Sequence, residues 1–205
     1  MTNSEILDFI KSRRSIGNLV APAPTREQVE QAIEVAPAPN REQVEQAIEV
    51  ALSAPDHKDL NPYRFIVLEN QALNTLGTAL KNAAIAQGET DEKTLTKAEN
   101  MPLRAPMIIA CVTDFKSHDK VPHWEQIAAS SCAVQNLLLA LTAQGFATVW
   151  RTGPLANAPA IKQLFNVTAD NQVIAFVYVG TAVSTIPPRS KIDVTPFIVY
   201  DNGTN

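Results

Sequence analysis

Four short polar clusters hold the residue types that could do chemistry in this chain: Arg13-Arg14-Ser15, Ala54-Pro55-Asp56-His57-Lys58, Trp150-Arg151-Thr152-Gly153 and Pro188-Arg189-Ser190-Lys191. The guanidinium forks of Arg13 and Arg14 with the Ser15 hydroxyl suit a phosphate and a hydroxylated chain such as ribityl. The plainer alternative is a basic helix end that complements the backbone dipole. His57 could serve a site or be a solvated residue in ordinary turn chemistry. Trp150 to Gly153 is either part of a site or an interface aromatic followed by a turn glycine. There is no GxSxG elbow, HExxH, Walker lysine loop or GxGxxG fingerprint. A chain without such a motif can leave the chemistry to a bound cofactor. His57, His118 and His123 show no ligand spacing, so no structural metal is expected. Cys111 and Cys132 sit in apolar runs, where small buried hydrophobes are expected rather than a disulfide.

These clusters need elements to carry them. Glu5 to Ser12 has helical spacing, with Ile6, Leu7, Phe9 and Ile10 expected inward, and Tyr63 to Leu68 alternates as a strand. Gln71 to Ala86 and Asp91 to Asn100 are expected helices. Met107 to Thr113 is a continuous apolar run, the pattern of a strand covered on both faces. Trp124 to Gln144 is apolar around most of its circumference and ends at Gly145, so it predicts a long helix under a sheet or in a subunit interface. Ala147 to Arg151 and Val173 to Gly180 are further strands, with a short helix at Ala158 to Phe165. The tail has strand propensity at Thr195 to Tyr200 and would be an exposed edge unless paired.

A tandem repeat interrupts this plan. Residues 21–35 (APAPTREQVEQAIEV) and 36–50 (APAPNREQVEQAIEV) differ only at Thr25 and Asn40. Each copy opens with prolines, then a capping residue with Gln28 or Gln43 at the third helical position. The second helix can run on toward Pro55, with Val44, Ala47, Ile48 and Ala51 as its apolar stripe. The first must stop, because Pro37 and Pro39 would each cost ~3 kcal/mol or more inside a helix. Two units fall short of the ~3 that a solenoid needs. The alternatives are an extra docking helix and a plain local duplication, and the second is favoured because two identical stripes compete for one burial site.

The chain has 205 residues, 45% hydrophobic and 19% charged, with a formal net charge of -4. That is the composition of one ordinary globular domain over residues 1–205, with a C-terminal extension at 185–205. No basic stripe points to nucleic acid. The start, MTNSEILDFIKSRR, looks like neither a signal peptide nor a membrane span, so a cytoplasmic location is expected.

The order of the clusters resembles a known family. IKSRRSIGNL, a proline-led helix and then ALSAPDHKDLNPYRFIVLE are similar to the opening of the FMN-dependent nitroreductases. APDHK, RAP, KVPHWEQ, AQGF, WRTG and TPF sharpen the likeness to the compact bacterial subgroup of NAD(P)H nitroreductases of the YdjA type. The resemblance spans about Glu5 to Tyr200, broken by one extra fifteen-residue copy.

The resemblance implies an α+β fold in which helices sandwich a mixed central sheet in three layers, assembled as an intertwined homodimer with FMN at the interface. It implies that Arg13, Arg14 and Ser15 hold the flavin phosphate, ribityl chain and ring edge, and that His57 reaches the same flavin from the other subunit. Trp150, Arg151 and Thr152 would complete the site, with a backbone amide near Thr152 and Gly153 facing flavin N5. Ala140 to Gly145 matches a nicotinamide-contact segment. Ser53 replaces an arginine of the subgroup, Thr152 a serine and Tyr63 a tryptophan. Arg189 and Lys191 could supply replacement phosphate contacts. The activity implied is ping-pong hydride transfer from NADPH or NADH through FMN to a nitroaromatic, quinone or similar acceptor. A flavin-binding carrier or sensor without useful turnover is the alternative.

Overall fold

A computed structural model describes residues 2–13, 38–168, 170–182 and 191–201. In chain order its elements are α1 (Asn3–Ser12), α2 (Arg41–Ala51), β1 (Tyr63–Glu69), α3 (Gln71–Ala86), α4 (Glu92–Asn100), β2 (Met107–Thr113), α5 (His123–Ala143), β3 (Ala147–Arg151), α6 (Pro159–Leu164) and β4 (Val173–Gly180). Single 3-10 turns lie at Pro102–Arg104 and Thr195–Phe197.

The four strands form one sheet in the order β1-β2-β4-β3. Every pairing among the described strands is antiparallel, whereas a mixed sheet was expected. Central β2 is buried along its whole length, as its unbroken apolar run requires. Its side chains alternate between two cores. Ile108, Ala110 and Val112 face α3 and α6 through Leu73, Leu76, Leu80 and Ile161. Met107, Ile109 and Cys111 face α2 and α5 through Val44, Ala47, Val134, Leu137 and Leu141. The molecule is therefore an α+β sandwich of three layers, helix on sheet on helix.

Strand β4 breaks the alternation. Cys111 pairs with Ala175 and Val112 with Val173, so Ile174 is an extra residue in the ladder. Val173 faces the α3 core, Ile174 and Ala175 both face the α5 core, and Phe176 faces the α3 core again. This is a β-bulge, which bends a strand and redirects its neighbours.

The second repeat copy supplies α2. Asn40 caps it by accepting from the Gln43 amide at 2.9 Å, while Gln43 Oε1 accepts from the Asn40 amide at 2.9 Å. Val44, Ala47 and Ala51 are buried, and Ile48 packs beside them. The helix stops at Ala51, and a turn leads to Ala54, short of the expected run to Pro55. The first copy, residues 21–35, lies outside the described residues.

Helix α5 has the length and composition to cross a membrane, yet Val134, Leu137 and Leu141 are in the core beside the sheet. Three expectations are corrected. On α1, Ile6, Leu7 and Ile10 are exposed rather than turned inward, because no described element covers them. Cys132 is also exposed, unlike Cys111. Thr195 to Tyr200 begins as a 3-10 turn, and no described strand pairs with it, leaving Phe197, Val199 and Tyr200 over 80% or close to it in solvent.

Candidate active site

The bulge in β4 organises the best-defined polar arrangement. Its Ile174 carbonyl accepts Thr152 Oγ1 at 3.0 Å and Trp150 Nε1 at 3.3 Å. Trp150 Nε1 also lies 3.0 Å from Thr152 Oγ1. Three groups from the end of β3 and the kink of β4 thus hold one another. Both lone pairs of a carbonyl displaced from the ladder are used, which satisfies a group that the bulge would otherwise leave unpaired. The Thr152 hydroxyl proton is consequently committed to Ile174. What the turn offers outward is backbone. The Gly153 amide makes no hydrogen bond to a described residue, and a Cβ placed on Gly153 would meet open space. A free donor beside open space on a fixed turn can stabilise negative charge that develops on a bound ring.

Strand alternation separates two residues expected to act together. Trp150 packs on the α5 layer, while Arg151 lies on the opposite face with its Cζ 5.7 Å from the Tyr178 ring centroid. The Arg151 backbone stays beside Trp150, but its guanidinium does not.

Ser53 and His57 lie on the α5 layer as well. Ser53 Oγ donates to the Val50 carbonyl at 2.7 Å and accepts from Asn136 Nδ2 at 3.4 Å. His57 Nδ1 lies 2.8 Å from Glu125 Oε2. Glu125 and Asn136 are on the same helix, eleven positions and therefore about 16 Å apart. Ser53 and His57 are anchored at well separated points on α5, so the structure does not gather them into one pocket within this chain.

The loop that presents His57 is tightly defined. Lys58, Asp59 and Asn61 all have positive φ, at 71°, 50° and 46°. A lysine in that region is uncommon, and such conformations persist where the surroundings enforce them. The enforcement comes from Asp56, whose Oδ2 accepts the Asn61 amide at 2.6 Å and whose carbonyl accepts the Asp59 amide at 3.2 Å. Asp56 Oδ1 and the Tyr63 hydroxyl are buried without partners among the described residues. Burial, with the nearby Asp56 charge, pushes the Tyr63 phenol above its ordinary range.

Glu125 escaped the sequence reading, although it lies in KVPHWEQ. Its neighbour Gln126 explains the firm placement. Gln126 is buried, accepts from the Lys116 amide at 2.9 Å, and donates to the carbonyls of Lys116 at 2.8 Å and Val121 at 3.2 Å. The first turn of α5 is therefore locked to the preceding loop, where Phe115 stacks on His123 with centroids 4.1 Å apart.

The remaining candidates are spread out. Arg13 caps the end of α1 and is half-buried. Arg14, Ser15 and Arg189 lie outside the described residues, and Lys191 is exposed. In Ala140 to Gly145, Leu141 is core, whereas Ala143 and Gly145 are exposed. Burial pushes the Cys111 thiol up to about 12, which removes it as a nucleophile. Among the described residues no cluster of His, Cys, Asp or Glu could hold a metal.

Comparison with known proteins gives this geometry a setting. A family model described as "Nitroreductase family" matches residues 10–181. The chain is 44% identical over 198 residues to the "Putative NAD(P)H nitroreductase" of Haemophilus influenzae, covering 96% of this chain and 99% of the relative. It is 34% identical over 197 residues to the "Putative NAD(P)H nitroreductase YdjA" of Escherichia coli K12, with the same coverage of both chains. Among solved structures, a nitroreductase-like family protein from Bacillus cereus superposes with a TM-score of 0.77 at 18% identity, over 99% of each chain. An FMN-dependent nitroreductase from Clostridium difficile gives 0.64 at 19% identity, over 96% of this chain and 99% of that one.

Proposed function

The chain belongs to the nitroreductase family, and from that premise we propose that it is an FMN-dependent oxidoreductase that passes hydride from NADPH or NADH to a nitroaromatic, quinone or similar small acceptor. The observation that carries this reading is the Trp150–Thr152–Ile174 arrangement with the unengaged Gly153 amide beyond it. That amide fits the donor that a flavin ring needs at N5, and the open space beside it fits the ring's approach. Bound FMN would supply the redox chemistry, taking hydride from one ligand and returning it to the next in a ping-pong sequence.

The chain's own residues would hold and orient. Trp150, Thr152 and the Arg151 backbone fix the turn that carries the amide. Arg13, Arg14, Ser15, Ser53 and Arg189 would supply phosphate and ribityl contacts. His57, held at the first turn of α5 while Ser53 is held near its middle, is suited to a flavin bound mainly by the other subunit. The exposed apolar face of α1 and the exposed Phe197, Val199 and Tyr200 support an intertwined homodimer that covers them. The long apolar α5 is taken as a core and interface helix of a cytoplasmic protein.

The absorption spectrum of the purified protein, followed by anaerobic addition of NADPH or NADH, tests this. A flavin band that bleaches is expected. A chain with no flavin band and no gain on adding FMN contradicts the cofactor. A flavin that stays oxidised instead makes the protein a carrier or sensor.

A further inference from the structure

We propose that the groove beside α5 accepts either copy of the repeat, so that the chain carries two interchangeable versions of α2. In the structure the second copy fills it. Val44, Ala47 and Ala51 are buried there with Ile48 beside them, and Gln144 Nε2, at the end of α5, donates to the Gln43 carbonyl at 3.0 Å. Each of these α2 residues has a counterpart fifteen positions earlier. Val29, Ala32, Ile33 and Ala36 repeat the apolar stripe, and Gln28 repeats the position whose carbonyl Gln144 holds. Ala36 opens the second copy, yet it completes the first stripe just as Ala51 completes the second. At the cap Thr25 stands for Asn40. Threonine closes the same kind of capping box on α1, where Thr2 pairs with Glu5.

The groove therefore meets the same side chains in either register. What separates the two is the chain that follows. Fifteen residues are left over in both cases, before the docked helix or after it, and closure entropy changes slowly with loop length. The exit from the helix is less even. The Leu52 amide donates to the Ile48 carbonyl at 2.9 Å, and Ser53 Oγ donates to the Val50 carbonyl at 2.7 Å. After the first copy, Pro37 and Ala38 stand at these positions and can make neither bond. The second copy is thus the ground state and the first its replacement. Exchange places Ser53, and the Asp56 to Asn61 loop after it, fifteen residues further along the chain from the docked helix. None of this rests on the reductase reading.

Val44→Asp puts an unpaired charge on the buried stripe of the second copy, and Val29→Asp does the same to the first. Hydrogen exchange read by mass spectrometry, together with urea unfolding of the full chain, should be compared for the wild type, both single variants and the double variant. Residues 40–51 should be the protected copy in the wild type. In Val44→Asp protection should pass to residues 25–36, with exchange there at least tenfold slower than in the double variant. Its unfolding midpoint should lie closer to the wild type than to the double variant. Val29→Asp should match the wild type. A chain lacking residues 36–50 separates fit from connection, because it joins the first copy directly to Ala51; it should fold as well as a chain lacking residues 21–35.

The proposal is overturned if residues 25–36 are no better protected in Val44→Asp than in the double variant. It is equally overturned if Val29→Asp alone lowers the midpoint, since the first copy would then be packed elsewhere in the wild type. A chain lacking residues 36–50 that fails to fold, beside one lacking residues 21–35 that folds, would show that the groove does distinguish the copies.

Discussion

Thr152 Oγ1 donates to the carbonyl of Ile174 at 3.0 Å, so a residue on the turn after β3 is tied to the one surplus residue of β4. The Trp150 indole shares that carbonyl at 3.3 Å. Thr152 thereby positions the following amide instead of offering its hydroxyl to a ligand.

Replacing Thr152 separates these roles. Thr152→Val removes the donor to Ile174 and the acceptor for Trp150 while keeping the shape. With a neutral hydrogen bond worth about 0.5–1.5 kcal/mol, FMN affinity should fall by roughly threefold to tenfold in a fluorescence titration. Thr152→Ser should stay close to wild type. Equal affinity for all three proteins would remove Thr152 from the site.

The pairing of His57 with Glu125 leads to a second expectation. The carboxylate fixes Nδ1 and leaves Nε2 as the atom presented outward. Glu125→Ala should lower FMN retention on gel filtration and shift the His57 ring nitrogen resonances. Glu125→Gln keeps an acceptor oxygen and should lie between the two. Unmoved His57 resonances in Glu125→Ala would show that the pairing does not set its ring.

Gly77 offers a test of packing, because two effects on it have opposite signs. Alanine favours an exposed helix interior over glycine by about 1 kcal/mol. At Gly77, however, an added Cβ would run into the backbone carbonyl of Glu99 on α4. A helix backbone cannot yield as a side chain would, so overpacking of about 1–3 kcal/mol should dominate. Urea unfolding of Gly77→Ala should therefore show a lower midpoint; a raised midpoint would mean that α4 shifts freely.

The duplicated segment gives the fourth prediction. Residues 38–50 of the second copy already fill the groove beside α5, with Val44 and Ala47 buried. Deleting residues 21–35 should leave Tm unchanged and FMN retention equal or higher. A clear drop in Tm would show that the first copy has a packing site of its own.

Much of the scaffold was legible because its patterns have one physical solution. MIIACVT has the pattern of a strand covered on both sides, and WEQIAASSCAVQNLLLALTA has the length and apolar content of one long helix packed on a sheet or an interface. The bulge was hidden for the same reason. With both faces of β4 buried, VIAFVYVG carries no polar alternation whose slip could reveal Ile174. WRTG suggested a single cluster, yet consecutive strand residues point apart, which is why Arg151 parts from Trp150. The strand expected at Thr195 to Tyr200 rested on propensity alone, and propensity does not supply a pairing partner. Glu125 stayed unnoticed because its meaning depends on a histidine 68 positions away.

The sheet order also sets how readily each strand opens. Strand β2 is hydrogen-bonded on both edges and covered on both faces, so its amides should exchange with solvent only when the whole domain opens. Among the described strands β3 is paired on one edge alone, and the turn of Thr152 and Gly153 hangs from its end. Small local openings can therefore reshape the turn that carries Thr152 and Gly153 while the rest of the sheet remains shut. A turn hung from such a strand has its give built into the edge of the sheet, while the covered centre keeps the register.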